Sequence, residues 1–301
     1  MNGTQSSSCP SNPTAEKIGV TFAYCLIFIL SSAGNTVIGV IVYKTKTMRK
    51  PINFFIVNMA ISDLLLPIFG IPRLIQHVDS RLISGPLGKA LCKLVSFLLS
   101  TSAAVSIQSL ILIAVDRFGA VVYPLRSPLI SSYLCRFFIL ATWIVAIVVS
   151  SPGLLVEKVV ERPGNAAFKK SSSYVHCIMF CIVFSFIPFL VIAMLYITIS
   201  LKLKSQKVQS EQSANAGHLR QQRERNVLKM AVAIVSAFAV CWLPLTIFWC
   251  IFIFTDTIWP ICGVPYHVYV GMLPIANCAI NPCICLIFSR NYRNGLKALF
   301  R

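Results

Sequence analysis

The chain has 301 residues, 56% of them hydrophobic and 12% charged, with a mean hydropathy of +0.77. Soluble domains carry roughly a quarter charged residues, so this balance excludes a single water-soluble core and points to a membrane protein. The net charge of +18 reads as membrane topology and attraction to anionic lipid; no motif supports a nucleic-acid partner.

Residues 1–17 are polar and carry no coherent secretory signal, so they read as an extracellular N-terminus, with the first apolar run as its own insertion signal. Asn2-Gly3-Thr4 is a glycosylation sequon on that side. Seven apolar segments of spanning length follow, at 18–43, 52–76, 89–121, 134–156, 175–203, 225–254 and 264–287. The connections are short except 157–174 and the polar stretch 205–224, which reads as a mobile loop. Beyond the last span, Phe288, Tyr292, Leu296 and Phe300 recur every four residues among Arg290, Arg293, Lys297 and Arg301. That pattern predicts an amphipathic cytoplasmic helix over 288–301, lying on the inner leaflet. The expected fold is an all-α membrane protein: a seven-transmembrane helix bundle over 18–287 with a short eighth helix, and no repeat or second domain.

Orientation follows the positive charges. With the N-terminus outside, the first, third and fifth loops, the helix ends beside them and the C-terminal segment hold 18 of the 27 Lys and Arg. Most of the 12 cysteines lie within helices, where a thiol is a small apolar residue. On the oxidising face, Cys92 starts the third span and Cys177 ends the long second external loop, so a bridge between them would pin that loop over the bundle mouth. Cys9 and Cys262 are also external and offer a second pairing; free or lipid-facing thiols are the alternative.

Two charged features interrupt the apolar helices. Asp63 is an ionisable group near mid-membrane, where an unpaired charge costs on the order of 3 kcal/mol, so it should face the bundle interior. Asp116-Arg117-Phe118 closes the third span about 37 Å from Cys92, on the opposite membrane face.

Seven helices, each with its landmark in order, resemble the rhodopsin-like family of G-protein-coupled receptors over nearly the whole chain. The landmarks are Gly34-Asn35, Asn58 and Asp63, Cys92 and Asp116-Arg117-Phe118, Trp143, Pro188 and Tyr196, Phe238 with Cys241-Trp242-Leu243-Pro244, and Asn277 with Asn281-Pro282. The resemblance implies no enzyme but a conformational transducer with three partners: an extracellular ligand, a heterotrimeric G protein and the lipid of the plasma membrane. It implies a sodium and water pocket at Asp63, Ser106, Asn277, Asn281 and Asn35, the ion being allosteric rather than a cofactor. It implies that Asp116 and Glu224 hold Arg117 in the inactive state. Pro244 and Pro282 are the helix hinges, Phe238 and Trp242 a packing switch. Pro124 and Leu125 match the second cytoplasmic loop, where with Arg117 they would meet the G protein. One departure stands out: Cys285 occupies the place of the tyrosine after Asn281-Pro282, removing the hydroxyl that would meet Tyr196.

Ligand class is read by exclusion. An amine receptor of this family needs an aspartate where this chain has Leu99, and a retinal Schiff base needs a lysine where it has Ile275. Inward-facing positions name Arg73, Leu99, Ser102, Trp242, Thr246, Trp249 and His267 as the pocket. Arg73 and His267 offer donors to a carboxylate or C-terminal amide, and Trp249 offers stacking area. A peptide ligand is the first expectation; a small acidic or lipid ligand pairing with Arg73 is the alternative.

Overall fold

With no water in the hydrocarbon layer, each apolar run must satisfy its own backbone, and the chain does so as helices. A computed structural model describes residues 13–78, 85–123, 129–156, 158–162, 165–169, 186–209, 215–255, 260–261 and 264–299. The helices are α1 (Pro13–Lys44), α2 (Pro51–Val78), α3 (Gly85–Val122), α4 (Ser132–Val156), α5 (Ile187–Gln209), α6 (Asn215–Thr255), α7 (Tyr266–Phe288) and α8 (Arg290–Leu299). Six of them are long and apolar enough to cross a membrane within the described residues, and α5 contributes a shorter apolar run, Ile187–Lys202. Residues 175–185, expected to begin the fifth span, lie outside the described residues.

Several boundaries differ from expectation. The stretch 205–224 is largely helical: α5 runs on to Gln209 and α6 starts at Asn215. Its Gln, Arg, Glu and Leu residues are good helix formers, and composition alone had concealed that. Within the 157–174 loop, strand β1 (Lys158–Arg162) pairs antiparallel with β2 (Asn165–Lys169), Lys158 opposite Lys169. A smaller hairpin, β3 (Pro260–Ile261) with β4 (Val264–Pro265), takes residues 264–265 from the seventh helix, which opens at Tyr266. At the N-terminus α1 begins at Pro13, a residue suited to a first helical turn, and so absorbs residues 13–17. Phe288 ends α7, and α8 begins two residues later.

α3 runs through the centre: every residue from Thr101 to Ile107 is buried. Around it pack Ile38 and Ile41 of α1, Phe55 and Met59 of α2, Ile192 and Ile199 of α5, and Ile234 and Phe238 of α6. The outward faces stay apolar, with Phe22, Ile29, Leu140, Val148 and Leu190 exposed. In water such surface would drive aggregation; here it meets lipid.

Polar residues tie the helices inside. Asn58 of α2 donates from Nδ2 to Ser109 Oγ of α3 (2.9 Å) and Thr142 Oγ1 of α4 (3.2 Å), and accepts at Oδ1 from Trp143 Nε1 (2.9 Å). One amide thus holds three helices. Gly34 lets α1 close on α7: a Cβ there would fall 2.7 Å from the Cβ of Pro282. Gly34→Val is therefore expected to cost about 1–3 kcal/mol of overpacking, read as a lower melting temperature of the purified protein.

α8 is fastened rather than loosely laid. Tyr292 is buried, and its hydroxyl donates to Asn53 Oδ1 (3.2 Å), while Asn53 Nδ2 donates to the Met48 carbonyl (2.7 Å). Arg293 Nη1 donates to the Leu286 carbonyl at the end of α7 (3.0 Å).

Candidate functional site

Asp63 faces the interior, as its charge requires, and is only 1% exposed. Its Oδ1 accepts from Ser106 Oγ of α3 (3.0 Å) and its Oδ2 from Asn281 Nδ2 of α7 (2.7 Å). The Ser106 and Ser62 hydroxyls meet at 2.6 Å. Ser31 Oγ of α1 donates to the Asp63 backbone carbonyl (3.2 Å). Three helices therefore meet at one carboxylate, and α1 reaches the same residue through its backbone carbonyl. Asn35 sits beside this group, but its Nδ2 is spent on the Ser31 carbonyl (3.0 Å), the Ser31 hydroxyl (3.1 Å) and the Cys278 carbonyl (2.9 Å). It clamps α1 to α7.

Two acceptors in this cluster, Asn277 Oδ1 and Asn281 Oδ1, are buried and have no hydrogen-bond partner among the described residues. Buried amide oxygens without a donor cost of the order of 1–3 kcal/mol each, which a cation would offset. Carboxylate, hydroxyl and amide oxygens suit a small hard cation. The described residues contain no group of three His, Cys, Asp or Glu able to hold a metal. A single carboxylate matches a single positive charge, so the donor set fits sodium.

At the end of α3, Arg117 Nη2 lies 2.5 Å from Asp116 Oδ2, with side chains 12% and 10% exposed. The Arg117 Nε–H reaches the same oxygen at 3.2 Å. The backbone of Glu224 belongs to α6, but its side chain, like Pro124 and Leu125, lies outside the described residues. Deeper in the bundle, Phe238 stacks on Trp242 with ring centroids 5.4 Å apart and planes 15° from parallel, and Phe189 of α5 joins them at 5.9 Å. Pro244 and Pro282 lie inside α6 and α7, where each removes one donor from the helical hydrogen-bond ladder. Tyr196 is buried with its hydroxyl unpartnered among the described residues, and Cys285 is buried on α7.

Towards the other end, four of the expected pocket residues have described side chains: Leu99, Ser102, Trp242 and Thr246. Leu99 and Trp242 are half-buried. Thr246 is buried and donates to the Trp242 carbonyl (3.1 Å). Ser102 turns to α2, donating to the Ser62 carbonyl. This bond ties α3 to α2. The side chains of Arg73, Trp249 and His267 lie outside the described residues, as do the Cys92 side chain, Cys177, Cys9, Cys262 and Asn2. Cys135, Cys241, Cys278 and Cys285 are buried thiols, as expected of cysteines inside helices. Sequence reasoning had missed Ser31 and Ser62; their signal is spacing, Ser31 one turn before Asn35 and Ser62 adjoining Asp63.

A membrane bundle of seven helices with a buried carboxylate at its centre and an Asp-Arg pair at one end is the architecture of a seven-transmembrane receptor. Residues 34–284 match the family described as 7 transmembrane receptor (rhodopsin family), and the chain belongs to it. It is similar to neuropeptide FF receptor 2 of Mus musculus, 30% identical over 303 residues covering 93% of this chain and 72% of that protein. The QRFP-like peptide receptor of Branchiostoma floridae is 34% identical over 248 residues, 77% of this chain and 64% of the relative. The neuromedin-K receptor of Homo sapiens is 28% identical over 293 residues, 93% of this chain and 61% of the relative.

Proposed function

We infer that the chain is a peptide-activated receptor of the plasma membrane, with its N-terminus outside, that turns ligand binding into activation of a heterotrimeric G protein. The observation that carries this reading is similarity along 93% of the chain to a receptor named for neuropeptide FF, supported by relatives named for a QRFP-like peptide and neuromedin-K. These relatives favour a peptide over the small acidic or lipid ligand. Peptide binding outside shifts the population of a state whose cytoplasmic end is open, and by linkage the G protein raises peptide affinity in return. Arg73, Leu99, Trp242, Thr246, Trp249 and His267 form the ligand pocket, beneath a Cys92–Cys177 bridge and a glycosylated Asn2. Asp63, Ser106, Asn277 and Asn281 hold sodium in the closed state. At the other end Arg117, Pro124 and Leu125 meet the G protein.

A panel of amidated peptides applied to cells expressing the chain, read by G-protein dissociation, tests the reading: at least one peptide should give a saturable response absent from untransfected cells.

The closed state rests on Asp116 and Glu224 holding Arg117. Removing one partner of a partly desolvated charge pair weakens the restraint by a few kcal/mol at most. Glu224→Ala should therefore raise ligand-independent signalling several-fold; an unchanged basal signal at matched surface expression would remove Glu224 from the latch.

A further inference from the structure

Two prolines lie inside α2, Pro67 and Pro72, and each removes one donor from the helical hydrogen-bond ladder. Pro67 stands four residues after Asp63, so the carbonyl that loses its helical partner is that of Asp63 itself. α1 supplies a replacement: Ser31 Oγ, in a fully buried residue, donates to that carbonyl (3.2 Å). Two turns earlier on the same face of α1, the buried Tyr24 donates its hydroxyl to the Pro67 carbonyl. Gly70 makes room for that ring, since a Cβ there would lie 3.3 Å from Tyr24 Cζ and closer still to the hydroxyl. α3 adds a third hold where Ser102 donates to the Ser62 carbonyl.

We propose that Tyr24 and Ser31 are positioning residues: they set the joint of α2 at Pro67, and through it the placement of Arg73 relative to Asp63. Ten residues, about 15 Å of helix, separate those two positions. Two ladder donors are missing along that length, so hydroxyls from neighbouring helices fix the path of the chain where α2 cannot do so alone. Both α1 bonds end on main-chain carbonyls, which leaves the Asp63 carboxylate to Ser106 and Asn281. A change of setting in the outer half of α2 therefore has to break or remake the Tyr24 bond, and it carries the backbone of Asp63 with it through the Ser31 bond. The role of Arg73 in this inference rests on the receptor reading; the joint itself does not, and its test needs no peptide.

The full chain in nanodiscs, with Ile75→trifluoromethylphenylalanine as a probe, reports the setting of outer α2 by fluorine-19 NMR; Ile75 is exposed and lies just past Arg73. One dominant line is expected without further change, and a second line of about a tenth of the signal or more in Tyr24→Phe and in Ser31→Ala. Thr36→Val, which removes a hydroxyl from an exposed position of α1, should add no line. Pro67→Ala restores the missing N–H, so Ser31→Ala made in that background should leave the spectrum as Pro67→Ala alone has it. The sodium concentration that gives half of the full rise in melting temperature should also move about fivefold or more in the two α1 variants. A purely structural role would lower the melting temperature and leave that midpoint in place, which would overturn the link to Asp63. A single unchanged line in both α1 variants would overturn the proposal, as would an equal effect of Ser31→Ala with and without Pro67. No sodium-dependent rise in the unsubstituted chain would instead defeat the cation reading, and the fluorine lines would still decide the joint.

Discussion

Asn58→Ala should be among the most destabilising single substitutions in the chain, at about 2–5 kcal/mol. The amide joins α2, α3 and α4 through Ser109, Thr142 and Trp143. The three partners do not lose equally. Ser109 Oγ keeps its bond to the Val105 carbonyl (2.8 Å) and Thr142 Oγ1 its bond to Ile139 (2.7 Å). The Trp143 indole N–H has no second acceptor among the described residues, so it would be stranded in apolar surroundings. Orphaning one buried donor costs about 1–3 kcal/mol, and the two weakened contacts add roughly 0.5–1 kcal/mol each. The melting temperature of the purified protein should fall by about 5–10 °C. Ser109→Ala, which removes only one arm, should cost about 1 kcal/mol; equal effects for the two variants would show that Asn58 is no junction.

Asp63→Asn should abolish the effect of sodium on agonist affinity. If the ion binds the closed state through this carboxylate, sodium lowers agonist affinity by a coupling of about 1–3 kcal/mol, or roughly 5- to 150-fold. Asparagine keeps the shape of the side chain but removes its charge. Stability should respond with the opposite dependence: the ion stabilises the wild type by mass action, whereas the neutral variant gains nothing from sodium and escapes the cost of a buried charge in sodium-free buffer. Competition binding with sodium replaced by N-methylglucamine measures the first, and melting curves in the same two buffers measure the second. A sodium effect of undiminished size in Asp63→Asn would place the ion elsewhere.

What the sequence made legible is instructive in its unevenness. Asp63 announced itself because an acid in an apolar helix has few places to go, and the structure brings Ser106 and Asn281 to it as expected. Asn35 was grouped with them by the family resemblance, and its amide nitrogen serves the Ser31 and Cys278 carbonyls and the Ser31 hydroxyl. Helical spacing names the face of a residue but not which neighbour its polar atoms will choose. Asn58 and Trp143 were each visible as landmarks; that one donates to the other follows only from the packing of α2 against α4. The Ser102 bond to the Ser62 carbonyl was hidden for the same reason. The hairpin at 158–169 was missed because its strands alternate weakly, and the extensions of α5 and α6 because polar helices outside the membrane share the composition of loops.

The absence of tyrosine at Cys285 has a structural counterpart in the Tyr196 hydroxyl, which has no partner among the described residues. Cys285→Tyr is expected to raise the maximal agonist response by supplying that partner in the open state, at some cost in stability, since Cys285 is 1% exposed and the larger ring must displace neighbours. Dose–response curves at matched surface expression would show it; an unchanged maximum would mean that Tyr196 takes no part in holding the open state.

If an external peptide acts on a G protein through Arg117, removing that guanidinium should uncouple the two ends of the bundle. This is tested most directly by G-protein dissociation in cells expressing either the wild-type chain or Arg117→Ala at equal surface density, exposed to the same amidated peptides. A saturable peptide response is expected in the wild type, with its loss, by about tenfold or more, in Arg117→Ala while peptide binding persists. A full response from Arg117→Ala would contradict it.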